Sequence, residues 1–327
     1  MEYNRYRITK QEHGSQAWLN DRFMDENGDK RISASAAAAI YGLHRFVKAD
    51  QYAAELLSDT PPVPLEPSWA MTRGNDLEPL CMKWATDKTG VQWTTPEEMF
   101  VYNDERGARL ISTLDGFFES ENGRLVLEIK TFNRPWDGEL PDYWRIQGIQ
   151  QAICADVDRI LWAVFDSSLS MQYYTQEVSE EEKEEHITKA SEWLAAIDMN
   201  MTPPGVTWSF ESVAKRYTAP ERGSMLEIGE QHAELVAQLK HVKNELKSYK
   251  ELEDKLKADL CELIGNHDGV TINGDVVATW KGQTRSSFNT KLMQLEHPDI
   301  VDKYTNNITV RTLLLKGAKY WNYQKSY

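Results

Sequence analysis

The chain has 327 residues, with 37 lysines and arginines against 51 aspartates and glutamates, for a formal net charge of −14. That length suggests two domains of about 150 residues each, and 41% apolar residues are enough to build cores. No stretch approaches the roughly 18 uncharged apolar residues of a membrane span, and the acidic total argues against a simple basic nucleic-acid coat protein.

The opening, Met1-Glu2-Tyr3-Asn4-Arg5-Tyr6-Arg7, lacks the apolar run of a signal peptide, so a cytoplasmic location with no membrane partner is expected. Helices are predicted over 16–22, 33–41 and 76–88, then strands over 99–102, 109–114 and 124–131. A helix over 141–154, strands over 159–165 and 172–178, and a helix from 180 to about 199 complete this part. The alternation predicts an α/β (α+β) fold, a mixed sheet with helices against it. The last helix opens on Glu180-Glu181-Glu182-Lys183-Glu184-Glu185, read as a solvated face whose acid complements the helix dipole.

After the Pro203-Pro204-Gly205 turn the composition changes. Residues 1–205 carry 20 basic and 35 acidic side chains, and the remainder 17 and 16. Leu235, Leu239, Val242, Leu246, Tyr249, Leu256, Leu260 and Leu263 follow alternating steps of four and three, with Glu253 at one seam position. This predicts one helix over 223–264, ended by Gly265 and about 60 Å long. It suits either a helix packed on its own domain or an intermolecular coiled coil. Asn273-Gly274 between apolar runs predicts a β-hairpin over 270–281, opening a small α+β module. The expected division is 1–205, then a connector and long helix over 206–265, then a module over 266–327. From Lys303 onward there is no acidic side chain. Lys303, Arg311, Lys316, Lys319 and Lys325 alternate with Tyr304, Tyr320, Trp321, Tyr323 and Tyr327. That composition suits single-stranded nucleic acid, or else aromatics packing the small module.

The sequence has no G-x-S-x-G elbow, no GK[ST] phosphate loop and no H-E-x-x-H pair. Cys81, Cys154 and Cys261 are too few and too scattered for a disulfide framework or a zinc site. What remains is a cluster of carboxylates with one lysine. Ser112-Thr113-Leu114-Asp115-Gly116 is followed by Leu125-Val126-Leu127-Glu128-Ile129-Lys130-Thr131. Strand alternation puts Glu128 and Lys130 on one face and Leu127 and Ile129 on the other. A hard divalent cation held by Asp115, Glu128 and the Ile129 carbonyl would pair the charges, and Lys130 would orient or deprotonate water. A plain hairpin with a surface Glu-Lys pair is the simpler alternative. Arg73-Gly74-Asn75-Asp76-Leu77-Glu78-Pro79 offers Glu78 near a helix start. Arg31-Ile32-Ser33-Ala34-Ser35 places two hydroxyls, Ser33 and Ser35, at a helix N-terminus, which suits an anion or simple capping. Gln147, Gln150 and Gln151 share a helical face.

In this order the motifs resemble those of YqaJ-type viral recombinases, relatives of the phage lambda-type alkaline exonuclease within the PD-(D/E)-x-K nuclease superfamily. The matching stretch runs from about Gly14 to Val178. The resemblance implies a restriction-endonuclease-like fold, with Asp115 and Glu128 as metal ligands, Lys130 as the catalytic lysine and Glu78 as a further acid at the metal. It implies Arg22, Ser35 and Thr113 as holders of a terminal phosphate, and Gln147 as the helix glutamine near the site, with Gln150 or Gln151 as alternatives. Leu114 replaces the proline of the superfamily's name motif. The implied activity is Mg²⁺-dependent exonucleolytic resection of duplex DNA ends, with Mn²⁺ able to substitute. A single-strand annealing protein is the implied partner, a ring trimer the implied assembly, and a phage or prophage the implied origin. A structure-selective endonuclease and a non-catalytic DNA-end scaffold are the alternatives.

Overall fold

The computed structural model describes residues 3–121, 123–217, 223–305 and 312–315. Of the basic and aromatic tail, Arg311, Lys316, Lys319, Lys325, Tyr320, Trp321, Tyr323 and Tyr327 lie outside the described residues. The chain divides into two compact units, Met1–Tyr217 and Thr218–Tyr327.

The first unit holds two four-stranded sheets where the sequence suggested one. The first is built from β1 (Tyr3–Thr9), β2 (Ile32–Ser33), β3 (Glu98–Asp104) and β4 (Arg109–Ser112), in the order β1-β3-β4-β2. The second has β5 (Gly116–Ser120), β6 (Gly123–Thr131), β7 (Arg159–Phe165) and β8 (Met171–Glu177), in chain order across the sheet. Both are mixed: β2 runs parallel to β4 and β6 parallel to β7, while the other pairs are antiparallel. β6 is therefore an interior strand, which excludes the plain edge hairpin.

Helices α1 (Gln16–Phe23), α2 (Ala49–Leu56), α3 (Trp69–Thr89), α4 (Asp142–Ala155), α5 (Glu180–Asp198) and α6 (Phe210–Arg216) surround the sheets. Leu127, Ile129 and Ala163 pack with Cys81 and Ala85 of α3 on one face of the second sheet. Val126, Ile160, Trp162 and Val164 pack with Trp144, Ile149 and Ile153 of α4 in the main core on the other. The alternation of β6 thus assigns Leu127 and Ile129 to the α3 side, and Glu128 and Lys130 to the α4 side. Two glycines permit the close approaches. A Cβ on Gly116 would lie 2.9 Å from Leu127 Cβ on the paired strand, and one on Gly148 of α4 would lie 2.4 Å from Gln176 Oε1. A side chain at Gly116 would have to displace Leu127 of the paired strand, and one at Gly148 would have to displace the Gln176 amide.

Several elements depart from the expected bounds. Residues Ala34–Tyr41 form a 3₁₀ helix rather than an α-helix, ended by Gly42 at φ 70°. α3 begins at Trp69, capped by the Ser68 hydroxyl, and passes through Pro79, so Glu78 sits near its middle. α6 packs on α2, where Asp50 Oδ2 accepts the Ser209 backbone N–H at 3.0 Å, and 206–217 therefore belong to the first unit. The acidic run is not wholly solvated. Lys183 and His186 of α5 are buried, with Lys183 paired to Asp158 and Glu180 at 2.6 Å.

In the second unit, α7 (Ala233–Ile264) starts ten residues later than expected, after a short 3₁₀ turn at Glu230–His232, and ends at Gly265. Its 32 residues span about 48 Å. β9 (Gly269–Ile272) and β10 (Asp275–Thr279) form the hairpin, with Asn273 and Gly274 at φ 53° and 91°. Both central residues are thus left-handed, as a type I′ turn requires. α8 (Thr290–Glu296) and α9 (Pro298–Tyr304) follow. Among the described residues no helix is long and apolar enough to cross a membrane.

Candidate active site

The site is built around β6. Glu128 is 2% exposed, a costly place for a carboxylate unless its oxygens are satisfied. Lys130 Nζ donates to Glu128 Oε1 at 2.6 Å, and two amides from α4 complete the shell. Gln147 Nε2 donates to Oε1 and Gln151 Nε2 to Oε2, each at 2.5 Å. Gln147 and Gln151 are four residues apart, one turn, which is why both reach the same carboxylate. Lys130 also donates to Gln147 Oε1 at 3.3 Å. Its ammonium stands 6.0 and 5.9 Å from the rings of Trp144 and Trp162, which stack on each other.

Asp115 lies between β4 and β5, where the backbone turns from the first sheet into the second. Its Oδ2 accepts the Ile129 N–H at 2.8 Å. Burial pushes the Asp115 carboxyl well above the usual carboxylate range, and the charges of Glu128 and Glu78 add to this while Lys130 opposes it. Glu78, on α3, is also raised, chiefly by burial; the nearby cations Lys10 and Lys130 oppose the shift and Glu128 reinforces it. Burial disfavours the charged form of Lys130, but Glu128 and Asp115 more than offset it, so its pKa is raised. Lys130 is therefore an ammonium at neutral pH.

Three carboxylates thus face one lysine, an excess of negative charge in a half-buried site. Among the described residues no three His, Cys, Asp or Glu side chains converge as a ready metal cluster, and Lys130 and the two amides bond to Glu128. The donors are hard oxygens, the kind that Mg²⁺ takes. The Oε1 of fully buried Gln151 has no hydrogen-bond partner. The residues present therefore fit a divalent cation.

A second group lies on the first sheet and the helices beside it. Ser15 caps α1 by accepting the Trp18 N–H at 3.2 Å. The Arg22 guanidinium lies 4.0 Å over the Trp18 ring and donates to Ser35 Oγ. Enclosure pushes the Arg22 pKa down to about 10, which still leaves it cationic. Ser33 is buried, while Ser35 is exposed at the start of the 3₁₀ helix.

Behind this helix runs a buried chain of hydrogen bonds. Gln150 Nε2 donates to the carbonyls of Ile32 at 2.7 Å and Ile111 at 3.0 Å, tying β2 to β4. With both amide hydrogens used, Gln150 Oε1 must accept, so His186 Nε2, at 3.0 Å, carries the proton. His186 Nδ1 then accepts from the Tyr41 hydroxyl at 3.1 Å. The network holds the Ser33–Ser35 segment from β2 at one end and from Tyr41 at the other.

Residues 17–158 match the family model for the YqaJ-like viral recombinase domain. Similar solved structures include an alkaline exonuclease from Laribacter hongkongensis, 21% identical over 57% of this chain and 93% of that one, with a TM-score of 0.43. A phage-related exonuclease from Haemophilus somnus 129PT is 15% identical over 53% of this chain and 96% of that one, with a TM-score of 0.38. No curated protein matches the chain.

Within the matched stretch, Asp115, Glu128, Lys130 and Gln147 come together, and Glu78 adds charge without bonding to them among the described contacts. Arg22 and Ser35 form a separate pair. Thr113 joins the carboxylate group through its backbone, whose carbonyl receives Gln151 Nε2 at 3.5 Å. Of the three glutamines, Gln147 and Gln151 face Glu128, while Gln150 faces β2 and β4. Sequence reasoning missed the His186 network, because a lone histidine in an acidic run carries no motif.

Proposed function

We propose that this protein is a Mg²⁺-dependent DNA exonuclease. It resects one strand of linear duplex DNA, running 5′ to 3′, and leaves a 3′ single strand for recombination by an annealing partner. The observation that carries this reading is the Glu128–Lys130 pair, set 2.6 Å apart on an interior strand beside Asp115. The YqaJ-like viral recombinase domain supports the recombination context.

Asp115, Glu128 and the Ile129 carbonyl would hold the cation, with Glu78 as a further acid. When bound it supplies Lewis-acid activation of water and neutralises phosphate charge. Lys130 orients the attacking water and offsets charge that develops on the phosphate. Gln147, bonded to both Glu128 and Lys130, keeps the two aligned, and Gln151 fixes the other Glu128 oxygen. Arg22 and the exposed Ser35, which bond to each other, take the terminal 5′ phosphate, with Ser33 and Thr113 as the further candidates.

Digestion of 5′-phosphorylated blunt linear duplex tests this reading. Mononucleotides are expected to appear only with Mg²⁺ or Mn²⁺, and covalently closed circles are expected to survive. Cutting of circles as fast as linear DNA favours a structure-selective endonuclease. DNA binding without any turnover identifies an end-binding scaffold.

Arg22→Ala is expected to lose about 10- to 100-fold in rate on 5′-phosphorylated ends, the worth of a charge-assisted hydrogen bond. The loss on 5′-hydroxyl ends is expected to be much smaller. Equal losses on the two substrates remove Arg22 from phosphate recognition.

A further inference from the structure

α7 carries a feature that the nuclease reading does not use. Its apolar seam is open along the middle of the helix: Val242 is 50% exposed, Leu246 62%, Tyr249 65% and Leu256 58%. In heptad terms Leu239, Leu246, Glu253 and Leu260 take the a positions, and Val242, Tyr249 and Leu256 the d positions. The flanks are charged with opposite signs. Lys243, Lys250 and Lys257 occupy successive e positions on one side, and Glu245 and Asp259 occupy g positions on the other.

We propose that α7 pairs with α7 of a second copy of this chain as a parallel, in-register coiled coil. The flanking charges choose both the occupant and the direction. In a parallel pair each g position meets the e position five residues later on the other helix, so Glu245 meets the partner's Lys250, twice per dimer. An antiparallel pair that still aligns the apolar seam sets Lys250 on the partner's Lys250, Lys243 on the partner's Lys257 and Glu245 on the partner's Asp259. All of those contacts are between like charges. Glu253, the one charged seam residue, has Lys257 at 2.5 Å one turn on, so its layer carries no net charge. This pairing is independent of the nuclease chemistry.

Sedimentation of the full-length chain tests the association. Self-association at micromolar concentration is expected, and Leu246→Asp is expected to abolish it. Glu245→Lys and Lys250→Glu are each expected to weaken it about tenfold, the sum of two modest ion pairs turned repulsive. The double variant, with the charges exchanged, is expected to recover most of that loss. Direction is read by Val242→Cys in a Cys261→Ser background under mild oxidation. In parallel register the two introduced thiols share a layer and cross-link. In the antiparallel arrangement residue 242 faces 260, about 27 Å from its counterpart at 1.5 Å per residue, far beyond the ~7 Å Cα separation a disulfide spans. A monomeric full-length chain, association unchanged in Leu246→Asp, no recovery in the double variant, or no Val242→Cys cross-link would each overturn the proposal.

Discussion

Lys130→Ala is expected to lower Mg²⁺-supported nucleotide release from linear duplex by about 10²- to 10⁴-fold, the usual contribution of a positioned proton-transfer or charge-stabilising group. It also leaves Glu128 without its cation at 2% exposure, and unpairing a buried charge costs about 3–5 kcal/mol. The two effects separate by experiment. Thermal unfolding without metal reads the stability loss, and the same variant with Mg²⁺ is expected to regain more stability than the wild type, since the cation replaces the missing positive charge beside Glu128 and Asp115. Activity is expected to stay low even when stability returns. Nucleotide release by Lys130→Ala at the wild-type rate assigns the chemistry elsewhere.

The second large effect is on stability against pH. His186 is 1% exposed, and burial pushes its pKa down to about 4 from an ordinary value near 6.5. As pH falls, the unfolded chain takes up this proton near 6.5 and the folded protein only near 4. The stability contributed here is therefore complete above about 6.5 and is lost progressively as pH falls toward 4, about 3 kcal/mol over the window. His186→Gln keeps an N–H for Gln150 and an acceptor for Tyr41 but does not titrate. Urea unfolding of the two proteins between pH 7 and 4 is expected to show the wild type losing about 3 kcal/mol more than the variant. Parallel pH profiles mean that the pKa of His186 is the same in the folded and the unfolded chain.

How much was legible in advance varied with the range of the interaction that decided each feature. The alternation Leu127, Glu128, Ile129, Lys130 is a local property, and it assigned each side chain to the correct face of β6. The one-turn spacing of Gln147 and Gln151 is equally local, although only the packed structure separated them from Gln150, whose amide donates to the carbonyls of Ile32 and Ile111. β1 was missed because its strand, Tyr3–Thr9, carries Asn4, Arg5 and Arg7 among its apolar residues. It pairs with β3 across the chain, from Tyr3 opposite Asp104 to Thr9 opposite Glu98. α2 and α6 were missed as short segments that pack on each other, joined by the Asp50 contact to Ser209. The start of α3 moved upstream because Ser68 supplies a hydroxyl cap, and that displaced Glu78 from a helix start to mid-helix.

Composition and periodicity by themselves determined the mixed α/β class, the face on which Glu128 and Lys130 lie, the long heptad helix and the hairpin at Asn273-Gly274. Each follows from backbone geometry over a few residues. Only the tertiary structure decided that β6 is interior, that Asp115 meets Ile129, that Arg22 reaches Ser35, and that His186 is buried and neutral behind them. Those features depend on which distant segments exclude water from one another, and on which buried polar groups must then find partners. The net charge of −14 is the clearest case: as a total it spoke against nucleic acid, whereas three of its carboxylates, folded around one lysine, form the site from which a DNA-cleaving function is argued.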